Sequence, residues 1–399
     1  MKVYLDNSAT TAVTPEVLEA MLPYFSDGFG NAQSVHSYGQ RARAAVETAR
    51  RQVSALIGAS PAEIIFTSGG TESDNLAIRG VAEAHRSRGR HIVTTNIEHP
   101  AVTATCQSLE RAGGEVSYVP VNSAGLVDAG DVIRAIRADT TLVTVMQSNN
   151  EIGTLQPIQE IGAAIKELRG AGRPAPLFHT DAVQSTGKVP IDVDTLGVDL
   201  LSLSGHKIHG PKGSGALYLR KATRIEKLLH GGHHERDRRA GTENVPAIVG
   251  LGKAAEQARL ELGRRADSMQ RLRDNLQSEI LARIPGARVN GDTRRRLPNI
   301  LNVSFEGLDG ESLLIALDMK GVAVSTGAAC ASGSLEPSPV LRALGLTREA
   351  VRGSIRLSLS RLTTAEEVSY AVRVLVETVA RLRAMAPDGE TEKAVQETL

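Results

Sequence analysis

LFHTDAVQ at residues 177–184 and LLSLSGHKIHGPKG at residues 200–213 decide the fold class. Each opens on a short apolar run, Leu177 to Thr180 and Leu200 to Leu203, and each then breaks into Asp, Ser or Gly. A run of that length bounded by turn residues reads as a strand buried on both faces of a sheet. The same texture recurs upstream at Glu63 to Phe66, His91 to Thr95, Val116 to Val119 and Leu142 to Met146, and downstream at Ala216 to Leu219. Helical periods fill the gaps at Thr71 to Arg86, Ala101 to Ala112 and Ile158 to Arg169. This alternation predicts an α/β fold whose mostly parallel sheet is flanked by helices.

After about residue 250 the texture changes. A long helical stretch, Gly252 to Arg283, leads into Ile300 to Phe305, Ser312 to Lys320, Val322 to Ser325, Ser354 to Ser358 and a last helix from Ala365 to about Ala384. The expected organisation is a large α/β domain over 15–258 and a smaller α+β domain built from 1–14 and 259–385. A polar tail at 386–399 reads as frayed.

Composition narrows the partners. Lys+Arg 46 against Asp+Glu 45 leaves a net charge of +1, so no basic field exists to hold nucleic acid or an anionic membrane. Aromatic content of 3% without Trp supplies no stacking platform for single strands. No apolar run approaches the ~20 residues of a membrane span. Two cysteines, Cys106 and Cys330, make no disulfide framework, and the N-terminus has no signal-type apolar stretch. The expectation is a cytoplasmic protein in a reducing compartment.

Two clusters carry candidate chemistry. TSGGTESDN at 67–75 lies between a strand and a helix, where free N–H groups and glycines accept an anion. Taken alone it reads better as a Gly-rich turn with a Ser or Thr cap. Asp181 and Lys207 both follow strand ends, the edge where α/β sheets bind ligands. Each alone reads as a capping Asp or a surface Lys. Together they suit pyridoxal phosphate chemistry, with the lysine forming a Schiff base and the carboxylate keeping the ring nitrogen protonated.

The motifs YLDNSATT (4–11), TSGGTESDN, EHPAV (98–102), NNEIGTLQPI (149–158), HTDAVQSTGK (179–188), SGHKIHGPKG (204–213), GGHHERDRRAGTEN (231–244) and GAACASGSLEPS (327–338) occur in this order. The set resembles the NifS/IscS-like cysteine desulfurases, fold-type I enzymes of the class V aminotransferase superfamily, over residues 1 to about 385. The resemblance implies pyridoxal 5'-phosphate held by Lys207, with Asp181 at the ring nitrogen, Gln184 near the ring oxygen, His99 stacked on the ring and Asn150 beside it. It implies Gly70, Thr71, Ser204 and His206 as the phosphate cradle, with Thr242 reaching in from the other subunit of a homodimer. Arg356, in GSIRLSLSR, matches the arginine that takes the carboxylate of L-cysteine. Cys330 matches the nucleophile that receives the sulfur as a persulfide, for an iron–sulfur scaffold or other acceptor protein, and it can ligate a nascent cluster there. A selenocysteine lyase of the same superfamily stays open as an alternative.

The residues around Cys330 are Gly, Ala and Ser, too small to bury a thiol, whereas Cys106 sits in a helical period and reads as a packed hydrophobe. His230, His233, His234 and Glu235 lack the spacing of a metal helix, so no structural metal is expected. Arg294 to Arg296 read as a solvated loop face.

Overall fold

The computed structural model describes residues 1–326 and 338–385. Its central sheet has seven strands in the order Ile64–Thr67, Gly215–Leu219, Leu200–Ser204, Leu177–Asp181, Thr140–Thr144, His91–Thr95, Glu115–Val119. Only Gly215–Leu219 runs against its neighbours; the other pairings are parallel. The expected α/β class holds.

Neighbouring residues of one strand enter different cores, which is why the runs are apolar throughout. Ile64, Phe66, Val143 and Leu201 pack on the side of the helices Ser37–Leu56 and Val245–Arg283. Ile65, Leu142 and Leu200 face the helices Gly70–Ala84 and Pro100–Arg111. The strand expected at Leu142 to Met146 ends at Thr144. The Met146 N–H is drawn instead to the Glu98 carboxylate, 3.0 Å from Oε1.

The long helix starts at Val245, ahead of the expected Gly252, with the Asn244 side chain accepting the Ala247 N–H. Gly250 and Gly252 are contact points in it. A Cβ at Gly250 would lie 2.6 Å from Met21 Sδ, and one at Gly252 2.5 Å from Ala49 Cα. Its first half buries Leu251, Ala254 and Ala255 in the large core, and Leu276 and Ile280 lie in a second core.

That second core covers an antiparallel sheet in the order Ser354–Ser358, Ile300–Phe305, Ala287–Asn290, against the helices Gly310–Asp318 and Ala365–Met385. The N-terminal arm joins both regions. Val3–Tyr4 pairs in parallel with Val322–Ala323, and Thr11 N–H donates to the His206 carbonyl at 2.9 Å. Among the described residues, no helix is long and apolar enough to cross a membrane.

Candidate active site

The parallel strands end on a common edge, and a cavity of about 410 Å³ opens there. Its walls include Ser8, Gly70, Asp74, His99, Asn150, Asp181, Gln184, Ser204, His206, Lys207 and Arg356. Ten sequence-predicted site residues therefore meet: Gly70, Thr71, His99, Asn150, Asp181, Gln184, Ser204, His206, Lys207 and Arg356.

Lys207 closes the short 3₁₀ turn Gly205–Lys207 that follows the strand Leu200–Ser204. Its Nζ donates to the carbonyls of Ser8 and, at 2.8 Å, Ala9. The arm thus lies against the lysine. Behind the turn, buried Lys188 donates to the carbonyls of Gln184 (2.9 Å) and Lys207 (3.2 Å), tying the two decisive segments together. Burial and the Lys207 charge push the Lys188 ammonium down to about 7.

Asp181 is the last residue of its strand and is buried, with Oδ1 accepting the Val183 N–H at 2.9 Å. Burial raises its carboxyl, and the His99 and Lys207 charges oppose the rise. His99 is the cap of the helix Pro100–Arg111, and its Nδ1 accepts the Ala101 N–H at 3.1 Å. That bond leaves the proton of the neutral imidazole on Nε2.

At the other end, the helix Gly70–Ala84 begins after Gly69 with no side-chain cap, so the expected Ser or Thr cap is absent. Glu72 takes the Ser68 N–H at 2.8 Å, and Arg239 pairs with that carboxylate. The uncapped first turn faces Ser204, whose Oγ lies 3.9 Å from where a Gly69 Cβ would be. His206, held to Thr10 Oγ1 at 3.2 Å, is pushed down to about 4 by burial and Lys207, so it stands neutral beside this end.

Arg356 points in from the small sheet. Nη2 donates to Asp6 Oδ1 at 2.7 Å and Nη1 to the Asn150 carbonyl at 2.9 Å. Ser325 pairs with the Arg356 backbone, and Ser338 Oγ donates to Glu151 at 2.6 Å. The described chain on either side of 327–337 is therefore fastened beside the cavity. Cys330 itself lies outside the described residues, as does the tail 386–399.

Thr242 is exposed and does not line this cavity. Cys106 is fully buried, and burial pushes its thiol up to about 12, too high for thiolate chemistry. Glu235 turns inward to Arg50, away from the neighbouring histidines. Arg296 corrects the expectation of a solvated run: its side chain is 5% exposed and paired with Asp274 at 3.3 Å. The sequence reading missed Asp6, Asp74 and Ser148. The motifs YLDNSATT and TSGGTESDN were the signals for Asp6 and Asp74, whereas Ser148 had none of its own.

The family described as Aminotransferase class-V matches residues 3–370. The chain is 53% identical over 385 residues to the cysteine desulfurase IscS of Methanosarcina thermophila, covering 96% of this chain and 94% of that protein. Against a cysteine desulfurase of Nostoc sp. it is 51% identical over 385 residues, with the same coverage, 96% and 94%. A solved structure described as a NifS-like protein superposes with TM-score 0.89 at 41% identity, over 95% of this chain and 100% of that one. The structure of SspA in complex with cysteine gives TM-score 0.80 at 37% identity, over 91% and 100%. The chain belongs to the class V aminotransferase family, and within it to the cysteine desulfurases.

Pyridoxal 5'-phosphate is the cofactor of this family, and the cavity fits it. Ser8 Oγ, Ser148 Oγ, Gln184 Oε1, Ser204 Oγ and Arg356 Nε are buried there without a hydrogen-bond partner among the described residues. Each such atom costs about 1–3 kcal/mol unless a ligand engages it. A flat polar group with an anionic end meets that demand, with the anion at the uncapped helix turn.

Proposed function

We propose that the site converts L-cysteine to L-alanine and passes the sulfur as a persulfide on Cys330 to an acceptor protein. The observation that carries this reading is the meeting of Lys207, Asp181, His99 and Arg356 in one cavity. When bound, pyridoxal phosphate supplies the electron sink for the substrate's α-carbon. Gly70, Thr71, Ser204 and His206 would hold its phosphate, and Asp181, Gln184 and Asn150 would hold its ring. Lys207 Nζ is the amine that anchors it and the base that takes the α-proton, with the Nε2 proton of His99 at hand. Arg356 binds the substrate carboxylate; Asp6 and the Asn150 carbonyl fix its fork in place.

Cys330 stands five residues after Ser325 in the sequence. Its thiolate attacks the substrate sulfur. The S–S bond forms as the Cβ–S bond breaks, the electron pair stays with Cβ and takes up a proton there, and return of the α-proton from Lys207 completes alanine.

The remaining parts of the reading have physical supports. An exposed apolar strip of Leu18, Leu22, Phe25, Phe29, Val35 and Tyr38 suits a homodimer interface, across which Thr242 would reach the second copy's phosphate end. Relatives bearing the IscS name support delivery to iron–sulfur assembly, where Cys330 would meet the scaffold. A working thiol without a disulfide framework suits the cytoplasm. The cores above support the division at 15–258, with 1–14 and 259–385 as the second unit.

Mass spectrometry after brief exposure to cysteine tests the central claim. Wild type should gain one sulfur on the Cys330 peptide, and Cys330→Ser should lose both persulfide and alanine while its colour still changes with substrate. Sulfur on Cys106, or full alanine release from Cys330→Ser, would overturn it.

A further inference from the structure

The cavity wall and the side chains behind it hold a group of acids of which the proposed mechanism uses only Asp181. Asp74, His99 and Asp181 bring polar atoms within 4.8 Å of one another, and Glu98 adds a third buried carboxylate nearby. We propose that Asp74 is a positioning residue that carries a proton in the working enzyme and so leaves Asp181 as the anion that faces the cofactor. This deepens the cofactor reading and rests on it.

The two carboxylates receive unequal support. Asp181 accepts a backbone N–H from Val183 and faces His99 and Lys207. Asp74 Oδ1 is buried with no donor among the described residues, and the other support for this carboxylate is the Ser202 hydroxyl. Two buried anions this close repel strongly, so one proton stays, and it stays on the carboxylate that lacks the facing His99 and Lys207 charges. Burial and the Asp181 charge push Asp74 well up, with Glu98 adding to the rise.

His179 is a further base within reach, and it does not take the proton. Its Nε2 is 3.7 Å from Asp74 Oδ1, beyond hydrogen-bond distance. Both ring nitrogens are already engaged, Nδ1 with Thr144 Oγ1 at 2.8 Å and Nε2 with Ser202 Oγ at 3.0 Å. A buried ion pair without a direct hydrogen bond does not recover its desolvation cost. Burial also pushes the imidazole down to about 3. The acid proton therefore belongs to Asp74.

Infrared difference spectroscopy tests this on the full chain, both cofactor-free and loaded. Aspartate labelled with ¹³C in the side-chain carboxyl separates its signal from that of Glu98. A protonated-aspartate band should be present at neutral pH, vanish in Asp74→Asn and persist in Asp181→Asn. Cofactor affinity should stay within about threefold of wild type in Asp74→Asn, because asparagine matches the neutral acid in shape, but fall roughly tenfold or more in Asp181→Asn. If Asp74→Asn fails to fold, the band in the Asp181→Asn protein decides: its presence there supports the proposal. A band lost only in Asp181→Asn, or no protonated aspartate in wild type, overturns the assignment. The cofactor-free spectrum locates the proton even if the cavity turns out to hold something other than pyridoxal phosphate.

Discussion

Glu235→Ala should be among the most destabilising single changes outside the active site. The Glu235 carboxylate is 4% exposed and accepts three hydrogen bonds: Arg50 Nη1 and Nη2, both at 2.8 Å, and the Phe66 N–H at 2.9 Å. Arg50 is equally enclosed, with its guanidinium 4.7 Å from the centre of the Phe66 ring. Removing one partner of a buried pair costs about 3–5 kcal/mol, because the other charge is left desolvated. Arg50 keeps Glu47 and the Ile64 carbonyl, which places the expectation near the lower end, about 3 kcal/mol, or roughly a hundredfold in the folding equilibrium.

Glu235 also anchors a strained segment. Glu235, Arg236 and Asp237 sit at φ of 45°, 56° and 63°, a left-handed run that non-glycine residues hold only under restraint. The assay is urea unfolding of Glu235→Ala, Arg50→Ala and the double variant, read at the first transition. The double variant should lose clearly less than the sum of the singles. Additive losses, or a Glu235→Ala loss below about 1 kcal/mol, would refute the account of a desolvated pair.

Asp181→Asn should leave a folded protein that binds cofactor weakly and turns over far more slowly; near-normal turnover would move the ring role to another acid. Arg356→Ala should cut kcat/KM for cysteine roughly 10- to 100-fold, mainly through KM, as expected for losing charge-assisted bonds to a carboxylate. An effect confined to sulfur transfer would contradict that role. Glu98 is raised to about 8 by burial, so its contribution to stability is full below the ordinary carboxylate range and is lost as pH rises through about 8. Glu98→Gln should therefore flatten the fall in stability between about pH 5 and 8, by at most about 1.4 kcal/mol per pH unit, in unfolding titrations across that range.

The strands were legible because both faces of the sheet are buried, so His91–Thr95 and Ile300–Phe305 fall where the apolar runs put them. The start of the long helix was not, because Pro246, Gly250 and Gly252 look like breakers. Pro246 sits in the first turn, where its missing N–H costs nothing, and the two glycines answer contacts with Met21 and Ala49, about 200 residues away, which no local pattern announces. Arg296 failed for the same cause: Arg294 and Arg295 before it are exposed, and its burial comes from the long helix bearing Asp274. In the site, Asp181 and Lys207 declared themselves by following strand ends. Asp74 stands one turn inside a helix, where an acid is ordinary, and becomes notable only because the fold brings Asp181 up against it.

The arm contacts also set a timetable for synthesis. Asn7 Nδ2 donates to the Ser358 carbonyl, the Ser8 N–H donates to Ser358 Oγ, and Asp6 pairs with Arg356. Arm and partner are 350 positions apart in the Asp6–Arg356 pair, an extreme of contact order. At ~5–20 residues per second, a ribosome makes the partner roughly 20–70 s after the arm. Until then a nascent chain can assemble the large sheet, but the arm that lies against Lys207 lacks its Asp6–Arg356 and Ser8–Ser358 fastenings. Stable capture of the cofactor therefore belongs to the last moments of translation or after release, and a ribosome stalled before Arg356 should hold a chain that stays colourless.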